Sequence, residues 1–530
     1  MREDVLLGLT LLLGMALLAT LGQRLRIPTP IFLVIGGLLV SLIPGVPLLT
    51  IEPDLIFLVF LPPLLYEAAW YMSWRELWRW RRIVLVMAFG LVVLTATAVA
   101  YASYAFIPGF TLAFGYLLGG IISPPDAVAA SSVLKDINAP KSMTSILEGE
   151  SLINDASSLI VFRFAMGTII SGTFVWQDVA LNFVLVTVMG AFIGLAVAGF
   201  FYVIHRWVPM QPRISILLTF LAPYIMYLAA EEFHYSGVIA VVAGGLFLSN
   251  HSHALLNHTE RVQGLSMWGT VIFIINGLVF VLIGLELSVV VDGLKGYSLS
   301  DAILYGLLIS AVVIVVRMVF SLVSSVFTNV AGRYITVAVR NVGWRGPIVV
   351  GWAGMRGVVS LAAALAIPLT LPDGNAFPHR ALILFITFVV ILVTLVFQGL
   401  TLPLVIRWAH PKELFPRLPT AKQEAMIQRQ LREAALRELQ QRYDGQLATN
   451  TLLTSLKNRL ESDLEVNQYL ASDRDGPVLT RYNEALVHLH LAKRQELERL
   501  RKQEEFDDEV IRKVETLLDL EEEKRDHTIR

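Results

Sequence analysis

Long apolar blocks, separated by short polar stretches rich in arginine, fill the first 410 positions of the chain. About 20 apolar residues suffice for a helix to cross the hydrocarbon core of a bilayer. Thirteen such segments are expected, at 5–23, 28–43, 54–72, 83–106, 110–134, 145–170, 179–204, 214–230, 236–249, 265–290, 302–328, 346–371 and 381–407, the second and ninth being short. An odd count puts the two termini on opposite sides. The excess of Lys and Arg on inner loops then sets the orientation. With the N-terminus outside, the inner segments hold Arg24, Arg26, Arg75, Arg79, Arg81, Arg82, Lys135, Lys141, Arg206, Arg213, Arg261, Arg333, Arg340, Arg345 and Arg407, and the outer ones only Arg2, Lys295 and Arg380. The pattern predicts an all-α polytopic protein of the cell (inner) membrane, with a transmembrane domain over 1–410 and a cytoplasmic helical tail over 411–530. The first segment lacks a basic n-region and an A-x-A site, so it reads as a retained helix.

Composition agrees with this picture. Hydrophobic residues make up 55% and charged residues 16% of the 530, with a mean hydropathy of +0.64, whereas soluble domains carry about 25% charged residues. Half of the 42 Lys and Arg lie after position 410, so the tail is solvated and the rest is lipid-embedded. A net charge of -1 argues against a nucleic-acid partner, and the absence of cysteine excludes disulfides, thiolate catalysis and Cys-based metal sites.

Ionisable residues nevertheless occur in or near the spans: Glu67, Asp126, Glu148, Glu150, Asp155, Arg163, Glu231, Glu232, Glu286, Arg317 and Arg356. Each costs about 2.5–3.5 kcal/mol on insertion scales, so a functional role is the default. Glu148, Glu231, Glu232 and Glu286 are expected at the interfaces, and Arg163 and Arg317 are candidate ion-pair partners. Two spans also read as broken. The fifth carries Gly119, Gly120, Pro124 and Pro125 at mid-depth, and proline removes a helix hydrogen bond. The twelfth carries Gly351, Gly354 and Gly357 around Arg356. Seven helices apart, the two run in opposite directions, which is the sequence pointer to an inverted-repeat transporter with a midplane site. Asp126 would lie near a new helix N-terminus, which favours an anion, and Arg356 near exposed carbonyl ends.

The stretch EGESLINDA (148–156) places Glu148, Ser151 and Asp155 on one helix face, with Asn154 beside them. A carboxylate, a hydroxyl and nearby carbonyls suit small hard cations. A buried carboxyl is costly to leave charged and uncompensated, so proton and cation compete for it. If only the loaded states cross, the outcome is antiport.

These residues, with FLPPLLYEAAW (60–70), SPPDAVAA (123–130), YLAAEEFHYSG (227–237) and GMRGVVSLA (354–362), resemble the monovalent cation:proton antiporters of the sodium/proton exchanger family, in the branch shared by bacterial antiporters and animal and plant exchangers. The resemblance covers about positions 5–408. It implies thirteen helices in a homodimer, with dimerisation and core subdomains and two crossed, unwound helices. It implies Asp155 as the essential cation- and proton-binding carboxylate, with Ser151 and Glu67 as further cation ligands and Asp126 and the Pro125 main chain completing the site. Asn154, Glu150 and Arg356 support it. Asn-Asp at 154–155 implies electroneutral one-for-one exchange, with Na+ favoured and Li+ or K+ as alternatives. Two departures stand out. Asn276 occupies a position where relatives carry a glutamate that pairs with the arginine, and the break reads Pro-Pro-Asp-Ala rather than Thr-Asp-Pro. No cofactor is implied beyond the transported ions.

In the tail, charges of alternating sign and apolar residues at three- or four-residue spacing predict amphipathic helices with a regulatory or dimerising role, without a recognisable ligand motif. His251, His253 and His258 form a loop cluster open to a pH-sensing role. A cation channel and an intramembrane enzyme are the competing classes. The chain has no TVGYG filter run, no H-E-x-x-H and no G-x-S-x-G.

Overall fold

The computed structural model describes the whole chain except residues 1, 26–27, 42, 44–55, 138, 173–175, 287–289, 292, 295–296, 332–342, 415–419, 448–449, 472–475, 502–509, 512–513, 516 and 523–530. Arg26, Lys295, Arg333 and Arg340 of the charge argument lie outside the described residues. The chain divides into two units, Met1–Leu414 and Phe415–Arg530.

The first unit is helical, and each of the thirteen expected segments overlaps a helix or an interrupted pair. In chain order these are α1 (Arg2–Leu25), α2 (Thr29–Ser41), α3 (Phe57–Tyr71), α4 (Trp74–Phe106), α5a (Leu112–Ile122) and α5b (Ala127–Asp136). Next come α6 (Lys141–Ser171), α7 (Trp176–Trp207), α8 (Pro212–Glu232), α9 (Gly237–Asn250), α10 (His258–Leu285) and α11 (Leu299–Ala331). The last are α12a (Arg345–Trp352), α12b (Val358–Leu365) and α13 (Arg380–Ala409). Among the described residues, nine helical stretches are long and apolar enough to cross a membrane, counting α5a–α5b as one, and α2, α3 and α9 are shorter apolar helices.

Local chemistry sets the ends. α10 opens on a capping box in which Asn257 and Glu260 satisfy each other's backbone N–H groups at 2.8 and 2.9 Å. α6 closes on Gly172, whose φ of 70° suits glycine. α4 starts nine residues before the expected apolar segment, because Ser73 caps it and Glu76 sits in its first turn. α6 likewise begins at Lys141, which carries Glu148 and Glu150 well inside the helix.

With no hydrophobic force between helices in lipid, close backbone approach through small residues carries the packing. Gly115 and Gly119 of α5a lie against Ala100 and Ala96 of α4 so tightly that a Cβ at either would stand 2.6 Å from backbone atoms of the opposite helix. α4 packs on α5a, α5a on α6, and α11 on both α12a and α13. A second set joins α2 to α10, α7 to α9, α8 to α9 and α3 to α9.

The second unit contains α14 (Thr420–Leu447), α15 (Thr451–Ala471) and α16 (Gly476–Arg501). α14 packs on α15, with Arg432 3.7 Å from Asp463. Arg494 of α16 bridges Asp519 and Glu522 at 2.5 and 2.6 Å, and Lys493 holds the Glu521 carboxyl at 2.7 Å, below the usual carboxylate range.

Candidate cation site at the crossing of two broken helices

The site is built where two helices lose their hydrogen bonds. α5 is interrupted at 123–126 and α12 at 353–357, and the two breaks lie on one another. The Asp126 N–H donates to the Met355 carbonyl at 2.7 Å. The Arg356 guanidinium donates from Nε to the Ile122 carbonyl at 2.7 Å and from Nη1 to the Gly354 carbonyl at 2.5 Å. Those carbonyls belong to the end of α5a and to the break just past α12a, where helices leave acceptors unsatisfied and carry partial negative charge. Arg356, 1% exposed, therefore answers two chain ends at once. Its own N–H donates to Thr394 Oγ1 at 3.0 Å, from a π-helical turn of α13 (Val393–Gln398). Among the described residues the guanidinium's hydrogen-bond partners are main-chain oxygens, and the carboxylate that acts on its charge is Glu150.

The anionic side is organised by the N-terminus of α5b. Asp126 Oδ1 accepts from the Val128 N–H at 2.7 Å, and Ser151 Oγ accepts from the Ala127 N–H at 3.2 Å. Both satisfy orphan donors of the helix start. Asn154 Nδ2 donates to the Pro125 carbonyl at 3.3 Å, tying α6 to the break, while its Oδ1 is buried with no partner among the described residues. Asp155 is 8% exposed, and among the described residues nothing donates a hydrogen bond to its carboxyl; the Asp126 carboxyl is close enough to act on it electrostatically. Asp155, Asp126, Ser151, Asn154, Pro125 and Arg356 are thus brought together.

Glu150 is placed differently. It is fully buried against Arg317 of α11, whose side chain packs on Gly354 of the second break and which reaches Glu150 with Nη1 at 2.5 Å and Nη2 at 2.9 Å. Arg163 of α6 pairs with Glu231 of α8 at 2.8 Å, and Glu231 also accepts from the Gly237 N–H. Glu67 lines a separate cavity of about 110 Å3, walled by α3, α8 and α10 with Trp70, Glu260, Arg261 and Trp268, and none of Asp126, Ser151 or Asp155 lines it. Glu148 accepts from Ser131 Oγ at 3.3 Å. Glu286, just past the end of α10, is 4% exposed and so packed within the protein. His251 packs on Phe247 and Tyr202, whereas His253 and His258 are exposed.

Sequence reasoning missed Thr394 and the structural weight of Gly357. No spacing rule marks Thr394, since its π-turn arises from packing. Gly357 has a clear cause: a Cβ there would run into the Asp126 carboxyl. Gly357→Ala should therefore displace Asp126, with a cost to stability of about 1–3 kcal/mol, and slow ion exchange. Ion-driven proton flux in proteoliposomes checks this, and an unchanged rate would remove Gly357 from the site.

Residues 9–408 match the transmembrane sodium/hydrogen exchanger family model. The chain belongs to the sodium/hydrogen exchanger family. It is similar to an uncharacterised Na+/H+ exchanger of Mycobacterium tuberculosis, 31% identical over 510 residues that make up 95% of this chain and 92% of that one. It is also similar to a sodium, potassium, lithium and rubidium/H+ antiporter of Bacillus pumilus, 34% identical over 78% of this chain and 62% of the relative. The solved structure of the sodium proton antiporter MjNhaP1 from Methanocaldococcus jannaschii superposes with a TM-score of 0.59 at 19% identity, covering 76% of this chain and 98% of that one, and shows the same fold. As a member of this exchanger family, the chain is a multi-pass membrane protein of a transporter class rather than an enzyme.

Proposed function

We propose that this exchanger carries one monovalent alkali cation, Na+ first and Li+ or K+ in second place, against one H+ by alternating access, with cation and proton competing for Asp155. One observation carries the reading: at the crossing of two broken helices, where Ser151 and Asn154 of the same helix bond to the α5 break, the buried Asp155 carboxyl has no hydrogen-bond donor among the described residues. Such a group needs a proton or a cation to be held in a low-dielectric site, and all-oxygen surroundings suit a hard ion. The neighbouring position is a neutral amide, Asn154, and the Asn-Asp pair is the family pattern that goes with one-for-one exchange.

The two packing sets support a division into a core of α4–α6 and α11–α13, holding the crossing, and a scaffold of α1–α3 and α7–α10 through which two copies pair. The N-terminus is placed outside and the tail in the cytoplasm of a cell (inner) membrane, the tail serving as a regulatory element. Glu67 serves the cation on its way to Asp155 from the cavity it lines. Exchange of K+ for H+ is the second reading, favoured by the four-cation relative from Bacillus pumilus.

Dye-reported proton flux in proteoliposomes, with Na+, Li+ or K+ added in turn and the membrane potential clamped or free, tests the proposal. Cation-driven proton movement indifferent to the clamp is the expected result. Cation flux without proton movement would instead indicate a channel, and flux that follows the clamp would end the one-for-one stoichiometry.

A further inference from the structure

Two arginine–glutamate pairs lie on the same side of the crossing, and each joins one packing set to the other. Arg163 stands on α6 beyond Asp155, about two turns or ~12 Å further along the helix. Its Nη2 donates to both carboxyl oxygens of Glu231, in the last turn of α8, at 2.8 Å each. Glu231 is held in place independently of the arginine. Its Oε1 also accepts from the Gly237 N–H at 3.1 Å, across the tight turn between α8 and α9 in which His234 takes a φ of 60°. The second pair is made at the far end of α12b. Arg380 opens α13 and donates from Nε to the Ile367 carbonyl at 2.8 Å and from Nη2 to the Leu365 carbonyl at 3.4 Å. It thereby caps the short helix whose other end meets Asp126 at Gly357. Glu286 acts on Arg380 through space, without a hydrogen bond to it. This glutamate directly follows α10, two residues after Gly284, whose backbone packs on Val34 of α2. It is buried, and its Oε2 has no hydrogen-bond partner among the described residues.

In both pairs the arginine belongs to the set that holds the crossing, and the glutamate to the set of α1–α3 and α7–α10. An ion pair within one set is made differently. Glu150 and Arg317 are bonded twice and almost fully buried, which suits a permanent brace. The side chains of Arg163 and Glu231 are 46% and 28% exposed, so water can replace each partner and the pair costs little to open. Arg380 keeps its two carbonyls whether or not Glu286 is near, and Glu286 has no hydrogen bond to lose. Both contacts can therefore part without stranding a donor.

We infer that Arg163 with Glu231 and Arg380 with Glu286 form an outer latch, which holds the crossing set against the scaffold and must part for the crossing to open outward. The inference rests on the alternating-access reading and its orientation. The four side chains are positioning residues, acting on the site through the helices that carry it. α6 bears Asp155 and α12b abuts Asp126, so a latch at their outer ends fixes both sides of the site.

The chain has no cysteine, so a pair of thiols can be introduced against no background. In the full chain carrying Arg163→Cys/Glu231→Cys, a short bifunctional thiosulfonate should reduce cation-driven proton flux to the leak, and a reductant should restore it. Undiminished exchange with the cross-link verified by mass spectrometry would overturn the latch. Half-saturating Na+ and K+ are then compared in right-side-out and everted membrane vesicles. Glu231→Gln keeps an acceptor for the Gly237 N–H, and it should lower the outer value relative to the inner one by about two- to fivefold. Arg163→Gln should do the same, and Arg163→Gln/Glu231→Gln should do no more than either change alone. Glu286→Gln should move the ratio in the same sense. An unchanged ratio with a lowered melting temperature would leave only a structural brace, and additive or opposite shifts would equally overturn the latch. A wild type without cation-driven proton movement would sink the exchange reading itself, whereas an active wild type with indifferent variants sinks the latch alone.

Discussion

Asp155→Asn is expected to reduce cation-driven proton flux to the leak of empty liposomes while leaving the protein folded. The substitution keeps the shape of the side chain and removes its charge and its exchangeable proton. Because none of the described residues donates a hydrogen bond to the Asp155 carboxyl, the change breaks none among them. It also ends the repulsion with Asp126, so thermal stability should be unchanged or slightly higher. The two readouts must separate: flux lost and melting temperature kept. Wild-type flux in this variant would sink the assignment of Asp155, and a collapse of the melting temperature would recast it as a structural residue. Asp126→Asn should be milder in flux, since an amide oxygen at that position still accepts from the Val128 N–H.

The largest effect on stability is expected from breaking the Glu150–Arg317 pair. Both side chains are about 1% exposed and bonded through two N–H···O contacts. Removing one partner strands a buried charge, which costs about 3–5 kcal/mol, whereas replacing both with apolar groups of similar size is often neutral or stabilising. The two single changes should differ. Glu150→Gln leaves two buried cations, Arg317 and Arg356, close enough to repel one another. Arg317→Met leaves Glu150 with Arg356 still in electrostatic reach. The predicted order of melting temperature in detergent is therefore wild type, then Arg317→Met, then Glu150→Gln lowest, with Glu150→Leu/Arg317→Met recovering most of the loss. A Glu150→Gln variant as stable as the wild type would refute the pairing as a stabilising element.

Much of the site was legible because it breaks rules that lipid enforces. Pro124 and Pro125 cannot continue a helix, and the glycines around Arg356 leave the second helix weak, so both interruptions could be placed to within a few residues. The i, i+3, i+4 and i+7 spacing alone puts Ser151 and Asp155 on one face of α6. Other features gave no such signal. The partner of Glu150 lies 167 positions away on α11, and sequence distance carries no information about which of several buried cations it meets. That Glu286 is packed within the protein at the end of α10 likewise follows from helix contacts and not from the apolar run before it. The start of α4 was misjudged because hydropathy marks where hydrocarbon begins, whereas a cap and helix-forming residues mark where the helix begins.

By itself the sequence determined that this chain is a multi-spanning helical membrane protein, where two of its helices break, and which carboxylates are out of place in lipid. These are local properties: the length of an apolar run, the missing N–H of proline, and the solvation cost of a charge. Only the tertiary structure decided what those groups face. It crossed the two breaks, so that Arg356 caps chain ends from both and the Asp126 N–H meets the Met355 carbonyl. It paired Glu150 with Arg317, set Glu67 in a cavity that Asp155 does not line, and left the Asp155 carboxyl with no hydrogen-bond donor among the described residues. Each of these depends on which helix packs against which, a matter of shape and small-residue contact between distant segments that no local pattern encodes.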